Sequence, residues 1–246
     1  MHRHFLPTDR LTSARLALDR AEALHLQTVL RAKVGEAVEL FDGAGLTVAA
    51  RVAAADRGGL ALEPLAAPRR HPPPACRLAL FASICKGPRM DWMIEKAVEL
   101  GASRIVPVGA GRSVGRPGDD AGRVARWRRV ALEAARQCGT AWLPAVDPPQ
   151  TFAAACAALP AWAPVFVAAL APGTRPLRET LAARCASGTG TPATAGWLTG
   201  PEGDFTPEEL RQAIAAGAIP VSLGRNVLRA ETAAIYGLCV LGAELL

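Results

Sequence analysis

From residue 77 to residue 245, short apolar runs alternate with longer segments of helical period, and no other feature constrains the fold as strongly. The spacing predicts strands over 77–83, 104–108, 165–170, 196–199 and 219–223. It predicts helices over 90–100, 123–138, 177–185, 206–216 and 230–245. Strands that alternate with helices build an α/β domain around a mainly parallel sheet, because each helix carries the chain back to start the next strand.

The preceding residues have a different texture. A proline-rich stretch with Arg69-Arg70 occupies residues 64–75, and it can continue neither a helix nor a central strand. It reads as a linker, dividing the chain into a small domain over 1–70 and a large one over 71–246. Within the small domain, strands are expected at 37–41, 46–54 and 60–62, with turns at Asp42-Gly43 and Arg57-Gly58-Gly59. A helix is expected over 19–31 with Asp19 as its N-cap. So few strands must bury one face and hide their edges, which favours a small β-barrel.

Composition narrows the function classes. Half of the 246 residues are hydrophobic and 20% are charged, which excludes general disorder. No uncharged apolar run is long enough to span a bilayer, and the N-terminus has no signal-peptide core, so a cytoplasmic protein is expected. The net charge of +6, carried mostly by arginine, suits an acidic partner such as RNA. Cys76, Cys85, Cys138, Cys156, Cys185 and Cys239 form no C-x-x-C pair and no zinc-ligand spacing. They are expected as small buried hydrophobes, with no metal site.

Two loops carry the candidate chemistry. LTGPEGDFTPEE, residues 198–209, places a glycine turn at the end of a strand. Thr206-Pro207-Glu208-Glu209 then has the spacing of a capping box with proline at the first helical position. VSLGRNVLRAETAAIYGL, residues 221–238, ends a strand at Leu223, turns at Gly224 and opens a helix near Ala230. Two such loops after neighbouring parallel strands can wall a pocket at the edge where α/β folds bind ligands. GAGRSVG, residues 109–115, has one residue too many for a dinucleotide fingerprint and reads as an ordinary glycine-rich loop. The helix over 123–138 turns Val124, Trp127, Ala131 and Ala134 to one face and Arg126, Arg129, Glu133 and Arg136 to the other. The charged face reads first as solvated surface and second as a phosphate-contacting stripe.

Together these blocks resemble the RsmE family of SPOUT RNA methyltransferases. The resemblance is carried by GPEG followed by F-T-x-x-E, and by S-L-G-x-x-x-L-R-x-E-T-A. It extends to KGPRMDWMIEKAVELGASRIVPV (86–108), WRRVALEAARQCG (127–139), Arg3 and Phe5, HLQTVLRAKVGE (25–36) and LFDGAG (40–45). It implies a trefoil-knotted methyltransferase domain behind a small N-terminal PUA-like RNA-binding β-barrel. It also implies S-adenosylmethionine as cofactor and a homodimer. The implied substrate is N3 of a uridine in the decoding region of 16S rRNA, in the assembled small ribosomal subunit. A SPOUT enzyme with another RNA target, or a non-catalytic rRNA-binding assembly factor, is the alternative.

The family pattern and the two loops point to Leu170, Thr199, Gly200, Pro201, Glu202, Gly203, Leu223, Gly224, Asn226 and Leu228 as cofactor-binding residues. Arg3, Arg31, Lys86, Arg89 and Arg225 are the expected RNA contacts. Arg229 is the catalytic candidate, since a fixed guanidinium can stabilise charge developing on a uracil oxygen; a salt bridge to Glu231 or a phosphate contact is the alternative. Glu202 is considered for orienting the cofactor or accepting a proton. The sequence departs from the family pattern at Asp204, where glycine is usual, at Thr140, where arginine is common, and at Arg225-Asn226.

Overall fold

The computed structural model describes residues 2–13, 16–20, 23, 33–56, 59–113, 121–186 and 190–246. The chain forms two compact units: Met1–Pro73 with Ala135–Leu143, and Pro74–Ala134 with Pro144–Leu246. Among the described residues, no helix is long and apolar enough to cross a membrane.

The small unit contains β1 (His2–Phe5), α1 (Thr8–Leu11), β2 (Leu16–Asp19), β3 (Ala37–Phe41), β4 (Leu46–Asp56), β5 (Gly59–Pro64) and β6 (Arg69–Arg70). The strands run in the order β1-β3-β4-β5-β2, with β6 on β4. Alternation turns Val38 and Leu40 of β3, Val48, Ala50 and Val52 of β4, and Leu60 and Leu62 of β5 into one core. The turn between β3 and β4 is fixed by Asp42, whose Oδ1 accepts from the amides of Ala44 (2.7 Å) and Leu46 (2.9 Å). The proline-rich stretch is more than a linker, because Arg69–Arg70 pairs with Leu46–Thr47. Pro68 and Pro72 flank that pair, and proline has no amide to extend a ladder.

Two expectations for this unit concern Asp19 and Arg3. Asp19, expected to cap a helix, is also the last residue of β2, paired with Gly59, and Arg20 and Ala23 beyond it are helical. Most of the remaining span to Arg31, and Arg31 itself, lies outside the described residues. Arg3, expected on RNA, is engaged by partners within the unit. Its side chain is only 8% exposed and bonds Glu39 at 2.6 Å. Its Nη1 donates to the carbonyls of Ala135 (2.8 Å) and Thr140 (3.1 Å), and its guanidinium lies 4.5 Å from the Phe41 ring. A guanidinium with its donors so occupied holds the unit together. Thr140, at the departure from the family pattern, closes a local turn with the backbone of Trp142.

The large unit runs β7 (Arg77–Ser83), α2 (Pro88–Glu99), β8 (Ala102–Gly109), α3 (Ala121–Cys138, whose last residues belong to the small unit), β9 (Ala145–Val146), β10 (Gln150–Thr151) and α4 (Phe152–Ala158). It continues with β11 (Val165–Ala168), β12 (Arg175–Pro176), α5 (Leu177–Ala186), β13 (Thr194–Thr199), α6 (Pro207–Ala215), β14 (Ala218–Ser222) and α7 (Ala230–Leu245). The strand order is β10-β8-β7-β13-β11-β14-β12, with β9 on β8. Every pair in this sheet is parallel. β13 follows β11 in sequence yet inserts between β7 and β11, so the chain re-enters the middle of its own sheet. Helix α4, absent from the sequence reading, starts where the Thr151 hydroxyl accepts from the amide of Ala154 at 3.2 Å.

One face of the sheet buries Ala79, Phe81, Val106, Val108, Val165, Val167 and Leu198. The opposite face takes α7 through a close fit. Trp197 is fully buried and donates from Nε1 to the carbonyl of Ala233 at 3.2 Å. A Cβ on Gly237 would lie 2.0 Å from the Trp197 ring. Glycine is therefore required there for contact, although it is a poor helix former. Gly237→Ala should lose about 2 kcal/mol of stability or more, because overpacking exceeds the ~1 kcal/mol gain in helix propensity. Urea denaturation checks this, and an unchanged or raised midpoint would contradict the packing.

Candidate active site

β11, β13 and β14 lie side by side in the order β13-β11-β14, so their C-terminal ends open onto one place. The loops leaving those ends wall a cleft that encloses about 590 Å³, solvent at its mouth included. Its lining includes Leu170 from the first loop, Gly200, Pro201 and Glu202 from the second, and Leu223, Gly224, Asn226 and Leu228 from the third. Thr199 and Gly203 do not line it. Thr199 is buried one position behind the wall, and its hydroxyl has no hydrogen-bond partner among the described residues. Sequence reasoning missed Ala168, Ala169, Ser222, Ala230 and Ala233, which complete the lining with Asp204 and Val227. Small residues carry no pattern that marks them as pocket lining.

The second loop is built by internal bonds. The capping box forms as its spacing predicts: the Thr206 hydroxyl accepts from the Glu209 amide at 3.1 Å, and Glu209 Oε2 accepts from the Thr206 amide at 2.9 Å. Glu209 Oε1 also accepts from the amide of Gly111 at 2.6 Å, and Arg112 donates to the carbonyl of Gly203 at 2.9 Å. The 109–113 segment thus braces the GPEG loop. A Cβ on Gly203 would lie 3.2 Å from Cβ of Arg112, and one on Gly200 would lie 3.2 Å from Oδ1 of Asp204. These glycines let the loop fold against its own neighbours. Phe205 anchors it in the core, 5.3 Å from the Phe152 ring.

Asp204, at the departure from the family pattern, has a φ of 59°. It therefore takes the left-handed conformation that glycine adopts most easily and that Asp tolerates among the L-residues. Its amide donates to Pro201 at 2.9 Å, and its Oδ1 accepts from the Phe205 amide at 2.8 Å. The turn survives the substitution because the side chain bonds its own backbone.

Charge is organised around Arg89, at the start of α2. Its Nη1 bonds Glu202 at 3.0 Å, and its Nε lies 4.0 Å from Glu231 at the start of α7. Arg89, expected on RNA, thus already bridges two carboxylates, and it ties the GPEG loop to the helix beside it. Arg229 is the N-cap residue of α7, exposed, with no hydrogen bond from its guanidinium among the described residues. A cation at this end of a helix opposes the macrodipole, so folding stability does not explain it. Lys86 and Arg225 are exposed.

Of the cysteines, Cys76, Cys85 and Cys156 are buried, as expected, whereas Cys138 and Cys239 are exposed. Burial, reinforced by Glu202 and Glu231 and opposed by Arg89, pushes the Cys85 thiol up to about 12. It stays protonated and serves as no nucleophile at neutral pH. Among the described residues, no group of three or more His, Cys, Asp or Glu could hold a metal ion.

A family model for an RNA methyltransferase domain matches residues 72–242, and one for an RNA methyltransferase PUA domain matches residues 18–65. The ribosomal RNA small subunit methyltransferase E of Synechocystis is 30% identical, the match covering 99% of this chain and 78% of that protein. That of Mycobacterium bovis is 34% identical over 94% of this chain and 87% of its own. The chain belongs to the ribosomal RNA small subunit methyltransferase E family. A member from Neisseria gonorrhoeae, solved bound to S-adenosylmethionine, superposes with a TM-score of 0.85 at 28% identity, covering 99% of this chain and 97% of that one. A methyltransferase from Legionella pneumophila, solved with bound SAM, gives a TM-score of 0.86 at 26% identity with the same coverage. As a member of this family, the chain is an RNA methyltransferase with an N-terminal PUA domain.

The Asp204 geometry yields a test. Asp204→Gly should fold with stability within about 1 kcal/mol of wild type, because glycine takes this φ without strain. Asp204→Val should lose about 2 kcal/mol, since a β-branched residue combines the left-handed penalty with loss of the side-chain bond. Thermal melts of the two variants check the order, and equal stability would contradict it.

Proposed function

We propose that this protein transfers a methyl group from S-adenosylmethionine to N3 of a uridine in the decoding region of 16S rRNA, acting on the assembled small ribosomal subunit in the cytoplasm. The observation that carries the reading is the cleft at the C-terminal ends of β11, β13 and β14, with Arg229 at the start of the helix that closes it. Residues 1–70 would serve as the PUA-like RNA-binding domain and 71–246 as the methyltransferase domain, with its C-terminal part threaded as a trefoil knot. The re-entry of β13 between β7 and β11 is compatible with such threading. A homodimer accords with exposed Trp92 on α2 and Tyr236 on α7, two helices that pack together.

The residues present fit the cofactor. Leu170, Leu223, Val227 and Leu228 supply apolar surface for an adenosine, and the loop backbone around Gly200 and Gly224 supplies polar edges. Gly224 has a φ of 119° and nothing within 4 Å of where its Cβ would be, so the third loop leaves open space there. Glu202 places a carboxylate on the wall, suited to a cationic group. Asn226 adds an amide, and Thr199 and Gly203 support the loop from behind.

When bound, S-adenosylmethionine supplies an electrophilic methyl on a sulfonium. The chain's own residues do the rest. The cleft fixes the donor against its target, which removes much of the entropic barrier. Uridine N3 holds a proton and attacks only as that proton passes to water at the open mouth of the cleft, so negative charge grows on the flanking uracil oxygens. Arg229 donates to one of those oxygens and stabilises the charge as it develops. Arg225 and Lys86, both exposed, contact the RNA backbone, and Arg89 holds Glu202 in position.

Single-turnover methylation of purified small subunits tests this. Arg229→Ala should lower the rate at saturating RNA and cofactor by roughly a hundredfold or more, with RNA and cofactor affinities nearly unchanged. Arg229→Lys should fall between, because lysine keeps the charge and loses the planar fork. Wild-type rates in Arg229→Ala would remove it from catalysis. Weaker RNA binding with normal turnover at saturation would reassign it to a phosphate.

A further inference from the structure

A second cleft opens beside the first. It lies past the C-terminal end of β7, which pairs with β13, so both clefts sit at the same edge of the parallel sheet. Its lining includes Cys85, Lys86, Asp91, Arg123, Arg126 and Trp127, from the β7–α2 connection, α2 and α3. The Arg89–Glu202 bond of 3.0 Å links the helix that borders this cleft to the wall of the first.

The chemistry of the lining is specific. Three cations face one carboxylate, and that carboxylate, Asp91, is already paired with Arg126. The pairing fixes the Arg126 side chain and leaves other guanidinium donors for a ligand. Arg123 lies over the Trp127 ring, 5.2 Å from its centroid. Trp127 itself is 3% exposed, so no base can stack on it. Lys86 stands exposed at the rim. The site is therefore built for anionic oxygens and offers no aromatic platform for reading a base.

We propose that this cleft binds a backbone phosphate of the substrate RNA, at a nucleotide adjoining the one presented to the first cleft. Lys86 and Arg126 carry the phosphate, Asp91 and Trp127 hold the arginines in place, and the contact positions the strand without reading its sequence. The proposal rests on the reading of the chain as an RNA methyltransferase and adds to it where the strand is gripped. It also assigns a ligand to Arg126, on the polar face of α3, where sequence alone favoured simple solvation.

Each phosphate contact releases counterions, so its loss flattens the dependence of log affinity on log salt by about 0.7 for a single strand. The full-length protein is titrated with purified small subunits over a range of KCl, as wild type, Lys86→Ala and Arg126→Gln. Arg211→Gln serves as control, an exposed arginine paired with Glu208 on α6. The expected result is a slope reduced by about 0.7 in each cleft variant. KM for subunits should rise roughly fivefold to tenfold, with kcat within about twofold of wild type and S-adenosylmethionine affinity unchanged. The control should keep the wild-type slope. Wild-type slope and KM in both cleft variants would overturn the proposal, while wild-type methylation of the subunits would leave the functional reading standing. A wild type that binds S-adenosylmethionine but neither binds nor methylates small subunits would overturn the functional reading, and this cleft's ligand with it.

Discussion

The parallel hydrogen bonding of β11 between β13 and β14 is the constraint on which the site depends. Parallel pairing makes three strands end on the same edge, and their three exit loops must then share one space. Each loop can be irregular there because something else holds it. The GPEG loop is held by the capping box, by the amide of Gly111 and by Arg112. The third loop runs directly into α7, which is locked to the sheet by Trp197 against Gly237. Rigid strands and a packed helix therefore carry backbone groups that would be too mobile on a free loop.

Much of this was legible from residues that act locally. The apolar run at 230–245 has the boundaries of α7, and 37–41 those of β3, because each is long or strongly patterned and sits next to a turn. The capping box was legible because its two bonds join residues three apart. The strand Leu16–Asp19 was not, since four residues are too few to show a clear period. Strands of two residues, such as Arg69–Arg70 and Arg175–Pro176, are too short to show any period. Arg3 shows the larger obstacle. Its charge suggests an RNA contact, and the sequence gives no sign of its internal partners Glu39, Ala135 and Thr140, up to 137 residues away. Only the tertiary fold brings them to one guanidinium.

The same holds within the candidate site. The glycines at 200 and 203 mark the right loop, yet their neighbours are Asp204, Phe205 and Arg112. Their smallness shapes the wall from behind and leaves the lining to other residues. The Arg89 bridge joins positions 113 residues apart and gives a charged residue an internal task that composition cannot reveal. Arg229 stands out for the opposite reason: it is a cation at the positive end of a helix, with no internal partner among the described residues.

The central claim is that this chain methylates a specific uridine at N3, with Arg229 supplying the charge that makes N3 reactive. Mass-spectrometric mapping of small-subunit rRNA addresses it directly, comparing cells with the protein, cells without it, and cells carrying Arg229→Ala in its place. The account predicts that one 3-methyluridine of 16S rRNA disappears without the protein, returns with the wild type and does not return with Arg229→Ala. An unchanged set of methylated nucleotides in cells lacking the protein would contradict it.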